Sequence, residues 1–390
     1  MKVKSGLEVL LHERLDLLRD ARVGVIVNAS SVDANFDHLV DLFHRHPAID
    51  LRAIFGPQHG FRGETQDNMI EWRGYQDPVT GLPIYSLYGE TRQPTAQALD
   101  DLDLLVFDIQ DVGARYYTFI YTMALAMQAC RSSQLRMVVL DRPNPINGAQ
   151  LEGPVLDRSF SSFVGLYPLP IRHGMTVAEL AGYFNRLEIG CELEIVPMRG
   201  WSRSMFFDET GLPWVLPSPN LPTLDSALVY PGLCLLEGTN VSEGRGTTRP
   251  FELTGAPWVE PTGFAARLNA LQLPGVRFRP VEFIPTFHKW QEARIGGVQI
   301  HVTDRSSFLP FRCGLALLKE YQGADPDRFH WNDPPYEYEE EKLPIDILCG
   351  TDRIRSGLDR GVEIAELEAS WEEELASFRT LREEFLLYSA

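Results

Sequence analysis

The chain has 390 residues, with 36 Lys and Arg against 54 Asp and Glu, a net charge of −18, and 44% hydrophobic and 23% charged residues. This is globular composition, enough for a sizeable core and about two to three domains, and it excludes a mainly disordered chain. The acidic balance argues against nucleic acid as a partner, and no run approaches the roughly 18 apolar residues that a bilayer span needs.

Residues 7–20 carry leucines near helical spacing (Leu7, Leu10, Leu11, Leu15, Leu18). Residues 22–28 form an apolar, β-branched run that reads as a buried parallel strand. A helix is expected over 33–46, a strand over 51–55 and a stronger strand over 102–108. A helix over 119–131 and a strand over 137–141 follow. Strand, helix and strand at this spacing mean βαβ units and a parallel sheet covered by helices. The stretches 142–175 and 208–257 are rich in Pro and Gly, with interleaved aromatic residues, and read as ordered irregular loops. Beyond about residue 258 the pattern becomes α+β: helices over 264–271 and 315–321, strands over 276–283 and 297–303, and one long helix over 364–388. A Trp371, Leu375, Phe378, Leu381 and Phe385 stripe on that last helix reads as core packing. The expected fold class is α/β, a Rossmann-like parallel-sheet domain over 1–230 followed by a smaller α+β domain over 231–390.

Five scattered cysteines, Cys130, Cys191, Cys234, Cys313 and Cys349, fit buried thiols rather than a disulfide framework or a zinc site. The amino terminus has no apolar h-region, so the chain reads as cytoplasmic as written, and as exported only if a leader is missing from it. No cofactor or metal is expected. Neither a G-x-G-x-x-G nor a G-x-x-x-x-G-K-[ST] pattern occurs, and no H-E-x-x-H or nucleophile elbow is present.

In a parallel sheet the ligand crevice lies beyond the carboxyl ends of the strands. Polar, Gly- and Pro-rich segments follow each predicted strand: 28–31, 56–63, 108–115 and 141–145. The 56–68 loop gathers Gln58, His59, Arg62, Glu64 and Asp67. Residues 108–118 hold Asp108, Gln110, Asp111, Arg115 and Tyr116. Residues 235–252 hold Glu237, Asn240, Glu243 and Arg245. This inventory of carboxylates, amides and arginines suits glycoside hydrolysis, which needs a carboxylic acid at the leaving oxygen and a second group at the anomeric carbon.

Six motifs then carry a resemblance: Pro57-Gln-His-Gly-Phe-Arg-Gly63, Phe107-Asp-Ile-Gln-Asp-Val-Gly-Ala-Arg-Tyr-Tyr-Thr118, Leu140-Asp-Arg-Pro-Asn-Pro145 with Glu152-Gly-Pro154, Pro170-Ile-Arg-His-Gly-Met-Thr176, Pro217-Ser-Pro-Asn-Leu-Pro222 and Glu237-Gly-Thr-Asn-Val-Ser-Glu-Gly-Arg-Gly-Thr247. They resemble the NamZ-type exo-β-N-acetylmuramidases, formerly a domain of unknown function. The resemblance implies a cleft between the two domains and release of N-acetylmuramic acid from the non-reducing end of peptidoglycan fragments, a small-molecule substrate. Many members of that family carry Glu in Pro-Glu-His-Gly, a leading candidate for the catalytic acid, where this chain has Gln58. The catalytic candidates are therefore Glu64, Glu237, Glu243 and Gln58. His59, Arg62, Asp108, Gln110, Asp111, Arg115, Tyr116, Asn220, Asn240 and Arg245 are the substrate-binding candidates, with Arg62, Arg115 or Arg245 for the lactyl carboxylate. The alternatives are a hexosaminidase with another terminal sugar and a catalytically altered protein that only binds muramyl sugars. Oligomeric state is open.

Overall fold

The computed structural model describes residues 2–389. In chain order the strands of its main sheet are β1 (Arg22–Val27), β2 (Asp50–Gly56), β3 (Tyr75–Gln76), β4 (Pro83–Ser86), β5 (Leu104–Asp108) and β6 (Arg136–Leu140). A hairpin of β7 (Glu152–Val155) and β8 (Pro170–Arg172) intervenes before the seventh, β9 (Leu193–Val196). The order across the sheet is β3-β4-β2-β1-β5-β6-β9. β3 pairs antiparallel with β4 at one edge, and the remaining pairings are parallel.

The β1 and β5 runs are apolar because both faces of the sheet are covered. Val23, Val25 and Val27 of β1 and Leu104 and Val106 of β5 pack on one side with Leu7, Leu10 and Phe43. Ile26, Leu105 and Phe107 face the other side, toward Tyr121 and Met127 of the helix Phe119–Ser133. That second cluster continues into the carboxy-terminal half through Leu235, Val298 and Ile345, so one apolar core joins the two halves. The later half contains a three-stranded antiparallel sheet ordered β10-β12-β11, from β10 (Leu253–Ala256), β11 (Val276–Phe283) and β12 (Ile295–Val302). The helices Pro261–Ala270 and Pro310–Ala324 accompany it.

Several boundaries differ from the sequence pattern. The helix expected over 33–46 begins at Leu39, because Asp33 Oδ1 accepts from the backbone of Asn35 and Asp37 and ties those residues into a turn. The long helix expected over 364–388 is two helices, Ile364–Ala369 and Glu372–Arg382, and a final 3-10 turn. Tertiary bonds override its helical pattern: Leu387 N donates to Glu179, and Tyr388 Oη donates to Asp141 at 2.5 Å. Of the expected stripe, Trp371, Leu375 and Phe378 are buried while Leu381 is exposed. Arg382 is buried in its place, donating to the carbonyls of Gly148, Ala149 and Gly174. The stretches 142–175 and 208–257 also contain order that their Pro and Gly content conceals, namely β7, β8, the helix Leu224–Leu233 and β10, and the helix Val177–Phe184 and β9 lie between them. All five cysteines are buried as free thiols. Among the described residues no helix is long and apolar enough to cross a membrane.

The chain reverses direction across the sheet between β1 and β5, where a doubly wound fold opens its ligand crevice. Here the crevice is filled from within. Phe207, Leu212, Pro213 and Val215 lie against Ser30, Val32, Gln110 and Arg142 and leave only about 10 Å³. The functional pocket is displaced toward the carboxyl end of β2, under the carboxy-terminal half.

Candidate functional site

This pocket draws on the turn after β2, the segment joining β5 to the helix Phe119–Ser133, the loop before the helix Leu224–Leu233, and loops of the carboxy-terminal half. They bring Gln58, His59, Tyr116, Asn220, Glu237 and Arg245 together, six of the residues singled out from sequence. Asn68, Tyr117, Thr118, Ser218, Tyr230, Phe251, Tyr336 and Glu337 also line it. The walls are polar groups set among aromatic rings, the composition that binds a sugar. Its free space is about 40 Å³, far below the ~300 Å³ of an ordinary ligand pocket. A larger cavity of about 660 Å³ lies beyond Trp72, beside Tyr85 and Thr91, and contains none of the candidate residues.

Glu237 is the best-held carboxylate in the pocket. Its Oε1 accepts from Arg245 Nη2 at 2.7 Å, and its Oε2 accepts from Tyr336 Oη at 2.7 Å and Asn68 Nδ2 at 3.4 Å. Donors from three distant segments thus fix one carboxyl group, the preorganisation that a charged transition state requires. Among the described residues Arg245 Nη1 takes no protein hydrogen bond, while Nε sits 3.2 Å from Glu243.

His59 occupies a left-handed backbone conformation with φ of 70°, uncommon for a residue with a side chain. Its Nδ1 lies 2.8 Å from the Thr65 carbonyl, so Nδ1–H donates and Nε2 is the acceptor. Burial pushes its pKa down to about 4, and the imidazole is neutral at neutral pH. The adjacent Gly60, at φ of +88°, keeps the turn tight, because a Cβ there would meet the Glu64 carboxylate at 2.6 Å.

Gln58 makes two side-chain bonds. Its Oε1 accepts from Thr118 Oγ1 at 2.9 Å, and its Nε2 donates to Glu337 Oε1 at 3.1 Å. Glu337 also accepts from Tyr88 Oη at 2.8 Å. Burial pushes the Glu337 carboxyl up to about 7, against the lowering effect of those two donors. Sequence reasoning missed this residue. It stands in the acidic run Glu337–Glu341, where four of five positions read as a solvated face. Its only distinguishing signal was the flanking Tyr336 and Tyr338, aromatic residues out of place on such a face.

The structure gives the other candidates different surroundings. Asp108 is fully buried in a two-pronged pair with Arg142, at 2.5 and 2.8 Å. Gln110 donates to the carbonyls of Asp111 and Pro143, and Asp111 caps Gly113 N and faces buried His173. Arg115 is fully buried and gives its guanidinium to the carbonyls of Pro154, Leu169 and Leu348. Arg62 is exposed, stacked on Phe61 and 3.5 Å from Asp77. Glu64 is exposed and accepts from Arg62 N. Asn240 pairs with the backbone of Arg328 and His330. Glu243 is buried outside the pocket beside Lys289, His288 and Arg245. Against the burial that would raise it, Lys289, His288 and Arg245 hold its carboxyl well below the usual range, so it carries no proton to give. None of these eight lines the pocket. Of the four loops at the strand ends, those over 28–31 and 141–145 are structural. Asn28 donates to Pro217 O, and Asp141 anchors Thr176, Ala178 and Tyr388.

A family model described as the N-terminal part of the exo-beta-N-acetylmuramidase NamZ matches residues 23–225, and one for its C-terminal part matches residues 228–388. A Bacillus subtilis (strain 168) protein described as peptidoglycan beta-N-acetylmuramidase NamZ is 45% identical over 388 residues, which is 99% of this chain and 92% of that one. Two crystal structures of DUF1343 family proteins from Bacteroides fragilis NCTC 9343 share the fold. Their TM-scores are 0.90 and 0.77 at 36% and 28% identity, with 100% of this chain and 99% of each of theirs covered.

Proposed function

The chain belongs to the NamZ family of exo-β-N-acetylmuramidases, and on that premise we propose that it is an exo-acting glycoside hydrolase releasing N-acetylmuramic acid from the non-reducing end of peptidoglycan fragments. The observation that carries this reading is the Glu237–Arg245 pair, at 2.7 Å, buried in a pocket lined with aromatic rings. The pocket is small, about 40 Å³, whereas an endo-acting enzyme needs an open groove.

In this reading the Glu237 carboxylate faces the positive charge that develops at C1 and O5 as the glycosidic bond breaks. Arg245 Nη1 meets the lactyl carboxylate that distinguishes muramic acid from glucosamine. Gln58, His59 Nε2 and Asn220 take the hydroxyl and acetamido groups, and Tyr116 and Tyr117 offer faces to the ring. Arg245 favours the muramyl sugar over a hexosaminidase with a neutral terminal sugar, because its Nη1, which takes no protein hydrogen bond, can pair with a carboxylate that glucosamine lacks.

The test is turnover of a chromogenic β-N-acetylmuramide beside the matching β-N-acetylglucosaminide. Preference for the muramide by about 10²-fold or more in kcat/KM is expected. Equal turnover of the two would replace the reading with a general hexosaminidase.

A further inference from the structure

Gln58 stands where the resemblance places a carboxylic acid, and an amide has no acidic proton. We infer that Glu337, one hydrogen bond away from Gln58 at 3.1 Å, is the proton donor of this enzyme. The inference rests on the muramidase reading and deepens it by assigning the acid.

Glu337 lies at the tip of a tight two-residue turn, in which Tyr336 N donates to Glu339 O and Glu339 N to Tyr336 O, both at 2.9 Å. Both tip residues have positive φ, 45° for Glu337 and 67° for Tyr338. Such turns favour Asn and Gly, and two residues with full side chains there store strain. That cost is met by contacts that hold the tip in the pocket. Tyr336 Oη donates to Glu237, and Tyr338 Oη donates to Glu71 while its ring lies under the Arg92 guanidinium. One loop therefore positions Glu337 and also orients the second carboxylate, Glu237.

The two acids have different surroundings. Glu237 faces a guanidinium, whereas Glu337 has only the neutral donors Gln58 and Tyr88 as direct partners. This difference divides acid from carboxylate at one pH, and the raised Glu337 pKa of about 7 agrees with it. The step balances. Glu337 gives its proton to the glycosidic oxygen as the C1–O bond breaks, and the bonding electron pair leaves on that oxygen. Water then adds to C1 and returns one proton to the Glu337 carboxylate. Gln58 is a positioning residue, holding Glu337 through Nε2 and itself held by Thr118.

The test compares a muramyl-glucosamine disaccharide, a poor leaving group, with a 4-nitrophenyl β-N-acetylmuramide, whose phenolate leaves without a proton. Glu337→Gln is expected to lose about 10²–10³-fold on the disaccharide and under about tenfold on the nitrophenyl substrate. The basic limb of its kcat/KM profile, near pH 7 in wild type, is expected to vanish. Tyr88→Phe removes a donor that favours the ionised form, so it moves that limb to higher pH. Equal losses on the two substrates, or an unchanged pH profile in Glu337→Gln, overturn the assignment. Should Glu337→Gln not fold, an unmoved limb in Tyr88→Phe overturns it instead. Wild type that releases no muramic acid from either substrate overturns the muramidase reading along with it. Wild-type activity with failure of the variant arms overturns the Glu337 assignment alone.

Discussion

Glu237→Gln is expected to lower kcat on a muramyl substrate by roughly 10³-fold while the protein stays folded. The carboxylate is fixed by Arg245, Tyr336 and Asn68 before substrate arrives. It therefore meets the developing positive charge without reorganising, and a neutral amide of the same shape forfeits that charge interaction. The fold tolerates the change because Arg245 keeps Glu243 as its counter-charge. A stability loss of about 1–2 kcal/mol is expected, the size of a hydrogen bond to a charged group. Steady-state kinetics with a urea melt separates the two effects. A variant within tenfold of wild-type kcat would show that Glu237 only shapes the pocket.

Arg115→Met is expected to cost about 3–5 kcal/mol of stability and to leave the preference for muramide over glucosaminide unchanged. Arg115 is buried as a cation with no carboxylate partner. Its guanidinium ties Pro154 and Leu169 of the first half to Leu348 of the second. Gly350 makes room for it, since a Cβ there would fall 2.8 Å from the guanidinium nitrogens. Methionine fills the volume but removes the guanidinium donors from three buried carbonyls, of which Leu169 O keeps the backbone N–H of Leu156. The urea midpoint measures the first expectation, and the ratio of kcat/KM values measures the second. A collapsed ratio with an unmoved midpoint would return Arg115 to the ligand.

The contrast between Arg115 and Arg245 marks how far the sequence could be read. Apolar β-branched runs exposed β1, β2, β5 and β6, and of the polar turns at their ends the one after β2 lines the pocket. The motif residues Gln58, His59, Tyr116, Asn220, Glu237 and Arg245 do converge. A sequence gives the type of a residue and not its partner. Arg62, Arg115 and Arg245 were therefore equal candidates for one carboxylate in the sequence, and of the three only Arg245 lines the pocket. The same limit applied to Glu243 beside Glu237: both follow the helix Leu224–Leu233, but only Glu243 is surrounded by Lys289 and His288 from 46 and 45 residues away. Glu337 was hidden by its acidic neighbours. The early end of the last helix was hidden because Leu387 and Tyr388 make tertiary bonds there, and the break near Ser370 because its carbonyl accepts from Arg353 Nη1 at 3.1 Å, neither of which helical periodicity records.

The central claim is that the pocket takes a terminal muramic acid. It is tested most directly by incubating the protein with two peptidoglycan-derived trisaccharides, one ending in N-acetylmuramic acid at the non-reducing end and the other in N-acetylglucosamine. Release is then followed by mass spectrometry. The account predicts free N-acetylmuramic acid and a shortened disaccharide from the first, with the second left intact. Internal cleavage of either trisaccharide, or release of N-acetylglucosamine from the second, would contradict it.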